Sequence, residues 1–347
     1  MVSALLSSSS ALHLKLPFIC ETRPPTFKAT SYSINNYNGG GGEGVDDDNS
    51  SVDTLGLPHH VKLITSPSNP FVKHCLKLRQ SSSYRHLHAS VLVVGSTPIR
   101  EICMFQKSLP ERPTAIDCLL IPDKANISVE LEDYCTRIVR VSSTVLKKLS
   151  GLQSTESIEA IALMRIPSTF HSADENLKEE NFLSWFPSPH RVLVLDGIQD
   201  PGNLGTLLRS AMAFGWGGVF LLPGCCDPFN DKALRASRGA SFQLPVVSGD
   251  WIHLEALKNE LQMKILAGHP ADDDNHKSVT LLSRMFADSL ADKKICLVLG
   301  SEGNGLSKKS RQEAELVAIP MTGEFESLNV SVAGGILLYM LQPANHI

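Results

Sequence analysis

The chain has 347 residues, of which 42% are hydrophobic, and its formal net charge at pH 7 is -4. This length predicts a globular protein with a sizeable core, enough for two ordinary domains and a tail. No stretch reaches the roughly 18 consecutive apolar residues that span a bilayer. The eight cysteines include no C-x-x-C pair and no Cys/His spacing typical of zinc, so neither a disulfide scaffold nor a metal site is predicted.

Residues 1–58 differ in composition from the rest of the chain. They begin with "MVSALLSSSSALHLKLPFIC", which is rich in serine and has no acidic residue before Glu21, and they continue into a Gly/Asn/Asp-rich tract that could not form a packed core. The apolar run is too short for a secretory signal. A hydroxylated, acid-poor start is typical of an organellar transit peptide. We predict a transit peptide and disordered extension, for the chloroplast ahead of the mitochondrion because serine dominates over arginine. A tail without a targeting role is the alternative.

Residues 60–165 predict a small α/β domain with a local excess of positive charge. "NPFVKHCLKLRQ" and "SSTVLKKLSG" have helical spacing, whereas "ASVLVVG", "IDCLLIP" and "TRIVRVS" are strand-like. Between Val61 and Arg112 the only acidic residues are Glu101 and Glu111. The basic residues there are Lys62, Lys73, Lys77, Arg79, Arg85, Arg100, Lys107 and Arg112. With histidines and Tyr84 interleaved, this module has the electrostatic footprint of an RNA- or DNA-binding domain. A solvated basic helix face is the alternative.

Residues 166–189 are polar, acidic and bracketed by prolines, which predicts a linker. From residue 190 to residue 347 short apolar strands alternate with helical segments: "RVLVL", "GVFLL", "LPVV", "KILAG", "ICLVLG" and "ELVAIP" are the strands. This alternation predicts a doubly wound α/β domain whose parallel sheet is covered on both faces. Ligands of such sheets bind beyond the carboxyl ends of the strands, so the loops at those ends form the candidate site.

The first of these loops leads into a helix in "LDGIQDPGNLGTLLRSA". Only Gly202 and Gly205 fall near the turn, so the three-glycine fingerprint of a nicotinamide-dependent oxidoreductase is missing. Asn203 is placed to cap the helix. The apolar residues that face the sheet recur at helical spacing: Leu204, Leu207, Leu208 and Ala211. This leaves Arg209 on another face near the helix start, where a solvated surface arginine is the alternative.

The second loop, "GSEGNGL", surrounds Glu302 with glycines that let a flat ligand approach the backbone closely. A carboxylate in this position would repel phosphate. The sequence therefore favours a neutral or cationic ligand, or a ribose hydroxyl.

The third loop, "PMTGEFESLN", precedes a very apolar helix that contains Gly334 and Gly335. Each glycine inside a helix costs about 1 kcal/mol relative to alanine. We therefore expect another part of the protein, or a partner subunit, to approach this helix closely.

Taken together, these loops resemble a known family. "NLGTLLRSAMAFG", "LVLGSEGNGLS" and "VAIPMTGEFESLNVSVAGGILLY" are similar, in order and in separation, to the three motifs of the SpoU (TrmH-like) RNA ribose 2'-O-methyltransferases. Upstream, "ITSPSNPFVKHCLKLRQSSSYRHLHASVLVVG" resembles the N-terminal substrate-binding domain of that family. The resemblance covers about Val61 to Gln342, and the predicted transit peptide suggests a plant organellar member.

The resemblance implies a methyltransferase domain closed by a trefoil knot, S-adenosylmethionine as the cofactor, RNA as the substrate (ribosomal ahead of transfer RNA) and a homodimer formed through the C-terminal domain. It implies these catalytic residues: Arg209, Asn203, Glu302, Ser327 and Asn329. It implies these cofactor contacts: Leu299, Gly300, Ile319, Met321 and Leu328. The alternative is a catalytically inactive RNA-binding or ribosome-assembly protein on the same fold. The intact arginine, glutamate and last asparagine count against it.

Overall fold

Two sheets organise the part of the chain that the computed structural model describes, which comprises residues 63–108, 116–125, 137–154, 158–173, 182–187, 189–270, 278–323 and 327–343. All of these residues belong to one compact unit, Ser51–Ile347. The predicted transit peptide lies outside the described residues. Within the described ranges, no helix is both long and apolar enough to cross a membrane.

The N-terminal sheet has five strands in the order β1-β4-β3-β5-β2 and is mixed, because β5 runs antiparallel to β2 and β3. The strands are β1 (Leu63–Ile64), β2 (Ser90–Val94), β3 (Ile116–Pro122), β4 (Ile138–Val141) and β5 (Ile161–Arg165). The helices are α1 (Pro70–Gln80), α2 (Ser82–His88), α3 (Ser96–Lys107) and α4 (Ser143–Ser150). The expected positions of β2, β3, β4, α1 and α4 are confirmed. Strands β1 and β5 and helices α2 and α3 were not predicted.

The C-terminal sheet has eight strands in the order β11-β13-β10-β12-β7-β8-β9-β6, and every ladder in it is parallel. The strands are β6 (Phe170–Ser172), β7 (Arg191–Asp196), β8 (Gly218–Leu221), β9 (Val246–Ser248), β10 (Lys264–Gly268), β11 (Val279–Leu281), β12 (Ile295–Gly300) and β13 (Glu315–Ala318). Separate apolar clusters pack on its two faces. The prediction of a doubly wound α/β domain is therefore confirmed.

Seven α-helices accompany this sheet in the described part of the chain. They are α5 (Phe182–Trp185), α6 (Pro201–Ala213), α7 (Asp231–Ser237), α8 (Trp251–Leu261), α9 (Arg284–Asp288), α10 (Lys308–Glu313) and α11 (Val330–Met340). Strand β6 and helix α5 fall inside the predicted linker, 166–189. Because β6 pairs with β9 at the edge of the large sheet, this segment contributes to the C-terminal domain as well as connecting the two sheets.

The start of α6 differs from the expectation. Asp200, not Asn203, is the N-cap: its Oδ1 accepts a hydrogen bond of 2.8 Å from the backbone N–H of Asn203, and Pro201 occupies the first helical position. The predicted cap at Asn203 is therefore wrong, and so is the placement of Arg209 near the helix start, since Arg209 lies in the second half of α6. Proline at the first position of a helix loses no hydrogen bond, which makes the earlier start favourable.

Two glycines let helices approach closely beside the site. A Cβ on Gly205 of α6 would lie 2.4 Å from the carbonyl oxygen of Ala233 in α7, and a Cβ on Gly334 of α11 would lie 2.3 Å from Leu207 Cδ2. No atom lies within 4 Å of a Cβ on Gly335. The expected close approach therefore holds at Gly334 but not, within the described chain, at Gly335. The trefoil knot stays a prediction of the resemblance.

Exchange of the capping residue tests the corrected start of α6. We expect Asp200→Ala to lower the free energy of unfolding by about 1 kcal/mol, because a backbone donor of the first turn loses its acceptor. Asn203→Ala removes only exposed polar contacts and should change stability by less than about 0.5 kcal/mol. Chemical denaturation of both variants provides the measurement, and the reverse ranking would restore Asn203 as the cap.

Candidate active site

Three polar side chains from three separate segments, the first turn of α6, the loop after β12 and the cap of α11, meet at the carboxyl edge of the large sheet. Asn203 Nδ2 donates a hydrogen bond of 2.5 Å to Glu302 Oε1, and Asn329 Nδ2 donates one of 2.7 Å to the same oxygen. Asn329 Nδ2 also lies 3.3 Å from Asn203 Oδ1. Residues 99 and 126 positions apart from Asn203 thus form one cluster, the Asn203–Glu302–Asn329 triad.

Asn329 both caps a helix and orients the triad. Its Oδ1 accepts hydrogen bonds from the backbone N–H of Ser331 at 2.9 Å and from the Ser331 hydroxyl at 2.5 Å, which makes it the N-cap of α11. Because the oxygen is occupied in this way, the amide nitrogen faces Glu302.

The loop that carries Glu302 is held in place by a buried carboxylate. Asp196, at the end of β7, accepts a hydrogen bond of 2.8 Å from the backbone N–H of Ser307 and a short one from the Ser310 hydroxyl. Between Gly300 and Ser307 the loop turns back on itself, with Ser301 and Gly305 paired through two backbone hydrogen bonds of 2.8 and 3.0 Å. Asp196 is a functional residue that was not predicted, although an acidic residue at the end of a buried parallel strand is a signal for it.

Only one of the two carboxylate oxygens of Glu302 forms hydrogen bonds within the described chain. Its Oε1 accepts both amide donors, whereas its Oε2 has no hydrogen-bond partner among the described residues. Two neutral donors fix the orientation of the group without neutralising its charge. The free oxygen can therefore accept a hydrogen bond from a ligand hydroxyl or attract a cation.

Arg209 and Ser327 belong to the same sequence motifs as Asn203 and Asn329, but neither forms a hydrogen bond with the triad. Both side chains are exposed, and no hydrogen bond or ion pair engages the Arg209 guanidinium within the described ranges. An arginine that is not engaged by the protein keeps all its donors for a ligand, and a planar guanidinium suits phosphate. Of the five predicted catalytic residues, the structure brings three into contact and leaves these two open to solvent.

The predicted cofactor residues line the same edge of the sheet. Leu299 is buried near the end of β12, Gly300 is half-buried as the last residue of β12, and Ile319 is half-buried directly after β13. Met321 and Leu328 present apolar side chains to solvent, with 39% and 37% of their surface exposed. This edge therefore combines backbone groups at strand ends with apolar side chains, a typical composition for a small-molecule site.

A polar triad at the carboxyl ends of a parallel sheet, with an unengaged arginine on the adjoining helix, defines an α/β protein whose ligand site is built from loops. Residues 190–339 match the SpoU rRNA Methylase family. The C-terminal domain is therefore a SpoU methyltransferase domain.

Individual relatives agree with this assignment. The chain is 27% identical over 283 residues to the 23S rRNA (guanosine(2553)-2'-O)-methyltransferase RlmP of Bacillus subtilis (strain 168), covering 81% of this chain and 100% of RlmP. It is 38% identical over 149 residues to the 23S rRNA (guanosine-2'-O-)-methyltransferase RlmB of Xylella fastidiosa (strain 9a5c), covering 43% of this chain and 56% of RlmB.

Solved structures extend the likeness across both sheets. A crystal structure of an RNA 2'-O ribose methyltransferase is 26% identical and aligns with a TM-score of 0.59 over 80% of this chain and 97% of that chain. The AdoMet-bound rRNA methyltransferase from Sinorhizobium meliloti aligns with a TM-score of 0.62 over 81% of this chain and 97% of that chain, at 24% identity. The second likeness shows the fold alone.

Proposed function

We propose that the protein transfers a methyl group from S-adenosylmethionine to a ribose 2'-hydroxyl of ribosomal RNA. The observation that carries this proposal is the convergence of Asn203, Glu302 and Asn329, one from each of the three motifs, beside an arginine whose donors are free. RlmP and RlmB act on guanosine 2'-oxygens of 23S rRNA by name. Large-subunit ribosomal RNA is accordingly the first substrate to test.

The carboxyl edge of the sheet fits the cofactor chemically. Met321 and Leu328 offer apolar surface, and Glu302 suits a cationic sulfonium better than a phosphate. In addition, Nε2 of His269 is buried without a hydrogen-bond partner. His269 follows β10, whose neighbours in the sheet are β12 and β13, so an unsatisfied polar atom lies at the edge where a ligand would pair with it.

S-adenosylmethionine, when bound, supplies an electrophilic methyl group on a positively charged sulfur. The ribose 2'-oxygen would take this methyl group while the S–C electron pair stays on the sulfur, which leaves as a neutral thioether, and the hydroxyl proton would pass to water. The hydroxyl is a weak nucleophile, so the protein must hold it in line and stabilise negative charge on the oxygen. The triad positions the hydroxyl through the free oxygen of Glu302.

Arg209 is the residue to which we assign charge stabilisation. A guanidinium keeps its proton up to a pH above about 12, so it acts as a donor rather than as a base. We place its donors on the phosphate beside the target ribose and on the developing alkoxide. Its exposure and its freedom from protein partners suit a group that engages only when RNA is bound.

Substitution of Arg209 tests the proposed activity. With tritiated S-adenosylmethionine and a transcript of large-subunit ribosomal RNA, we expect wild-type protein to label the RNA and Arg209→Ala to be slower by about 10²-fold or more. Ribose methylation is identified by resistance of the labelled linkage to alkaline hydrolysis. Arg209→Lys, the matched control that keeps the charge but loses the planar donor pair, should retain part of the activity.

A measurement of cofactor binding shows whether Arg209→Ala loses activity through the chemical step or through a general disruption of the protein. Calorimetry should show Arg209→Ala binding S-adenosylmethionine as wild type does, because the cofactor residues lie on other loops. An equal loss of cofactor affinity would refute the assigned role. Wild-type protein that binds ribosomal RNA but labels neither ribosomal nor transfer RNA would support the alternative, an inactive assembly protein. A labelled base instead of a ribose would overturn the ribose assignment.

We also propose that the protein is a homodimer that associates through α11. Val332, Ile336 and Tyr339 recur at the spacing of one helix face and are 52%, 36% and 55% exposed. Met212 of α6 adds a further exposed apolar side chain, and Phe214 contacts the Tyr339 ring at a centroid distance of 5.6 Å. Contiguous apolar surface of this kind favours a protein interface.

A charge on this face should separate the subunits. We expect wild-type protein to sediment as a dimer and Ile336→Glu as a monomer, since an unpaired carboxylate would have to be buried. Met285→Glu is the matched control, because Met285 is an apolar residue that is 84% exposed on α9; it should remain dimeric. A monomeric wild type at micromolar concentration would exclude the proposed dimer.

We further propose that the protein acts in an organelle, the chloroplast ahead of the mitochondrion. The serine-rich, acid-poor start of residues 1–58 supports this location. A fluorescent protein fused behind residues 1–58 should enter plant chloroplasts, and one fused behind residues 59–120 should not. Import into mitochondria would assign the protein to mitochondria instead, and a cytosolic signal from the first fusion would contradict an organellar location.

A further inference from the structure

The loop between β12 and α10 carries Glu302 on an exposed turn, and its first stem is fixed by the sheet. Gly300, the last residue of β12, is paired with Asp196 in the ladder between β12 and β7. A Cβ on Gly300 would lie 2.3 Å from the carbonyl carbon of Gly305, so the loop folds back directly over the strand end. Leu306 is 5% exposed and packs in the apolar cluster on one face of the sheet. Glu302 therefore lies on a short turn with a fixed base.

The tip of this turn is open. The Ser301 hydroxyl oxygen accepts a hydrogen bond of 3.2 Å from the backbone N–H of Asn304, which closes the turn on itself. No described atom lies within 4 Å of a Cβ on Gly303. The position of the Glu302 backbone is consequently set by the two stems of the loop, whereas the Glu302 side chain is oriented by the two amides of the triad.

Asp196, Ser307 and Ser310 form a closed ring of hydrogen bonds at the second stem. Asp196 Oδ2 accepts the backbone N–H of Ser307 at 2.8 Å and a short hydrogen bond from the Ser310 hydroxyl. The Ser307 hydroxyl donates to Ser310 Oγ at 2.9 Å and accepts the backbone N–H of Ser310 at 3.2 Å, as the N-cap of α10. We call these three residues the serine–aspartate ring. The ring ties the end of β7 to the first turn of α10.

The serine–aspartate ring is buried, which makes its hydrogen bonds hard to replace. Ser310 is 0% exposed and Asp196 is 8% exposed. Hydrogen bonds to an ionised carboxylate are about twice as strong as those between neutral groups. A buried carboxylate that loses a donor has little water to take its place. The ring therefore holds the second stem in a narrow range of positions.

Asp196 serves as a common reference point for two members of the triad. The chain continues from Asp196, at the end of β7, through Asp200, the N-cap of α6, to Asn203 in the first turn of that helix. Through the ring, the same carboxylate fixes the stem of the loop that carries Glu302. The hydrogen bond of 2.5 Å between Asn203 Nδ2 and Glu302 Oε1 joins these two segments. A displaced stem would thus change the direction in which the free Oε2 of Glu302 points.

We propose that Asp196, together with Ser307 and Ser310, positions Glu302 for methyl transfer. These three residues act through Glu302, whose Oε2 receives the ribose hydroxyl, and they touch neither substrate nor cofactor. Catalytic groups must be held within about 0.5 Å of their productive positions. A displacement of about 1 Å can cost about 10²-fold in rate. The inference rests on the proposed function, because it concerns the role of Glu302 in that reaction.

Removal of the Ser310 hydroxyl tests the positioning role. We expect Ser310→Ala to lower kcat for the large-subunit ribosomal RNA transcript about tenfold, because Glu302 is then held less accurately. KM for the transcript and the S-adenosylmethionine affinity measured by calorimetry should each change less than about twofold, since neither ligand contacts the ring.

Ser150→Ala is the matched control for Ser310→Ala. Ser150 is also 0% exposed, and its hydroxyl donates a hydrogen bond of 3.1 Å to the carbonyl oxygen of Lys147, in the N-terminal domain. This variant should keep the wild-type kcat. Thermal unfolding of both variants measures the loss of stability in each. Equal kcat values for the two variants would refute the positioning role.

A double-mutant cycle separates positioning of Glu302 from a general effect on the fold. Glu302→Gln loses the carboxylate charge but keeps an oxygen that accepts the two amides of the triad. If the ring acts through the Glu302 carboxylate, adding Ser310→Ala to Glu302→Gln should lower kcat less than about twofold further. A further tenfold loss in that background would show that the ring acts independently of Glu302, which would overturn the inference.

A conservative exchange at Asp196 provides a rescue. Asp196→Ala removes the acceptor of both donors and should lower kcat by about 10²-fold. Asp196→Asn keeps an acceptor oxygen of the same shape and should recover at least about tenfold of that loss. The same kcat for both variants would contradict a role of the acceptor in positioning. If Asp196→Ala does not fold, the comparison of Ser310→Ala with Ser150→Ala decides.

Hydrogen exchange distinguishes failure of this inference from failure of the proposed function. Backbone amides of residues 301–306 should exchange faster in Ser310→Ala than in wild type and in Ser150→Ala, with no substrate present. If wild-type protein transfers no methyl group, the proposed function is refuted, and unchanged exchange in Ser310→Ala would also refute the hold of the ring on the loop. If wild-type protein methylates the transcript and Ser310→Ala keeps its kcat, the proposed function stands and the positioning role is refuted.

Discussion

The packing of α11 against α6 is the interaction on which the geometry of the site depends. Gly334 of α11 packs where a Cβ would lie 2.3 Å from Leu207 Cδ2 of α6 and 2.8 Å from Leu299 Cδ1 of β12. The far end of α11 is tied down by a hydrogen bond of 3.1 Å from Trp216 Nε1 to the carbonyl oxygen of Leu338. With the helix fixed at this depth, its N-cap Asn329 reaches Glu302 and Asn203.

A second anchor of that helix is a fully buried arginine. The Arg191 guanidinium donates hydrogen bonds to the backbone carbonyl oxygens of Leu341, beyond α11, and of Leu290 and Ala291, before β12. Burial lowers its pKa, yet these carbonyls replace the lost water. The Arg191 guanidinium thus holds together segments that are about 50 or more residues apart in the sequence. This role is structural, in contrast to the catalytic role proposed for the exposed Arg209.

The two domains are in direct contact with each other and are not joined by a linker alone. Val93 and Ile102 of the N-terminal domain share one apolar cluster with Phe229 and Phe242 of the C-terminal domain, and the Arg85–Asp227 and Arg238–Glu101 pairs add polar contacts across the same boundary. An apolar interface resists the rearrangements that a purely polar one allows. An RNA bound to the N-terminal domain would therefore meet the methyl-transfer site in a limited range of orientations.

The sequence by itself determined the parallel C-terminal sheet, because short apolar strands separated by helices can bury both faces of a sheet in no other common way. Its three motifs identified the family and the triad residues. It could not locate the α6 cap, since Asp200 and Asn203 are equally good capping residues and only the helix start decides between them. Strand β6 within the expected linker was not visible, because it pairs with β9, which is distant in sequence. Asp196 stands out in the sequence only as an acidic residue at a strand end, and its partners Ser307 and Ser310 are set by the tertiary structure. The meeting of Asn203, Glu302 and Asn329 was settled by the tertiary structure alone, through the depth at which Gly334 lets α11 pack.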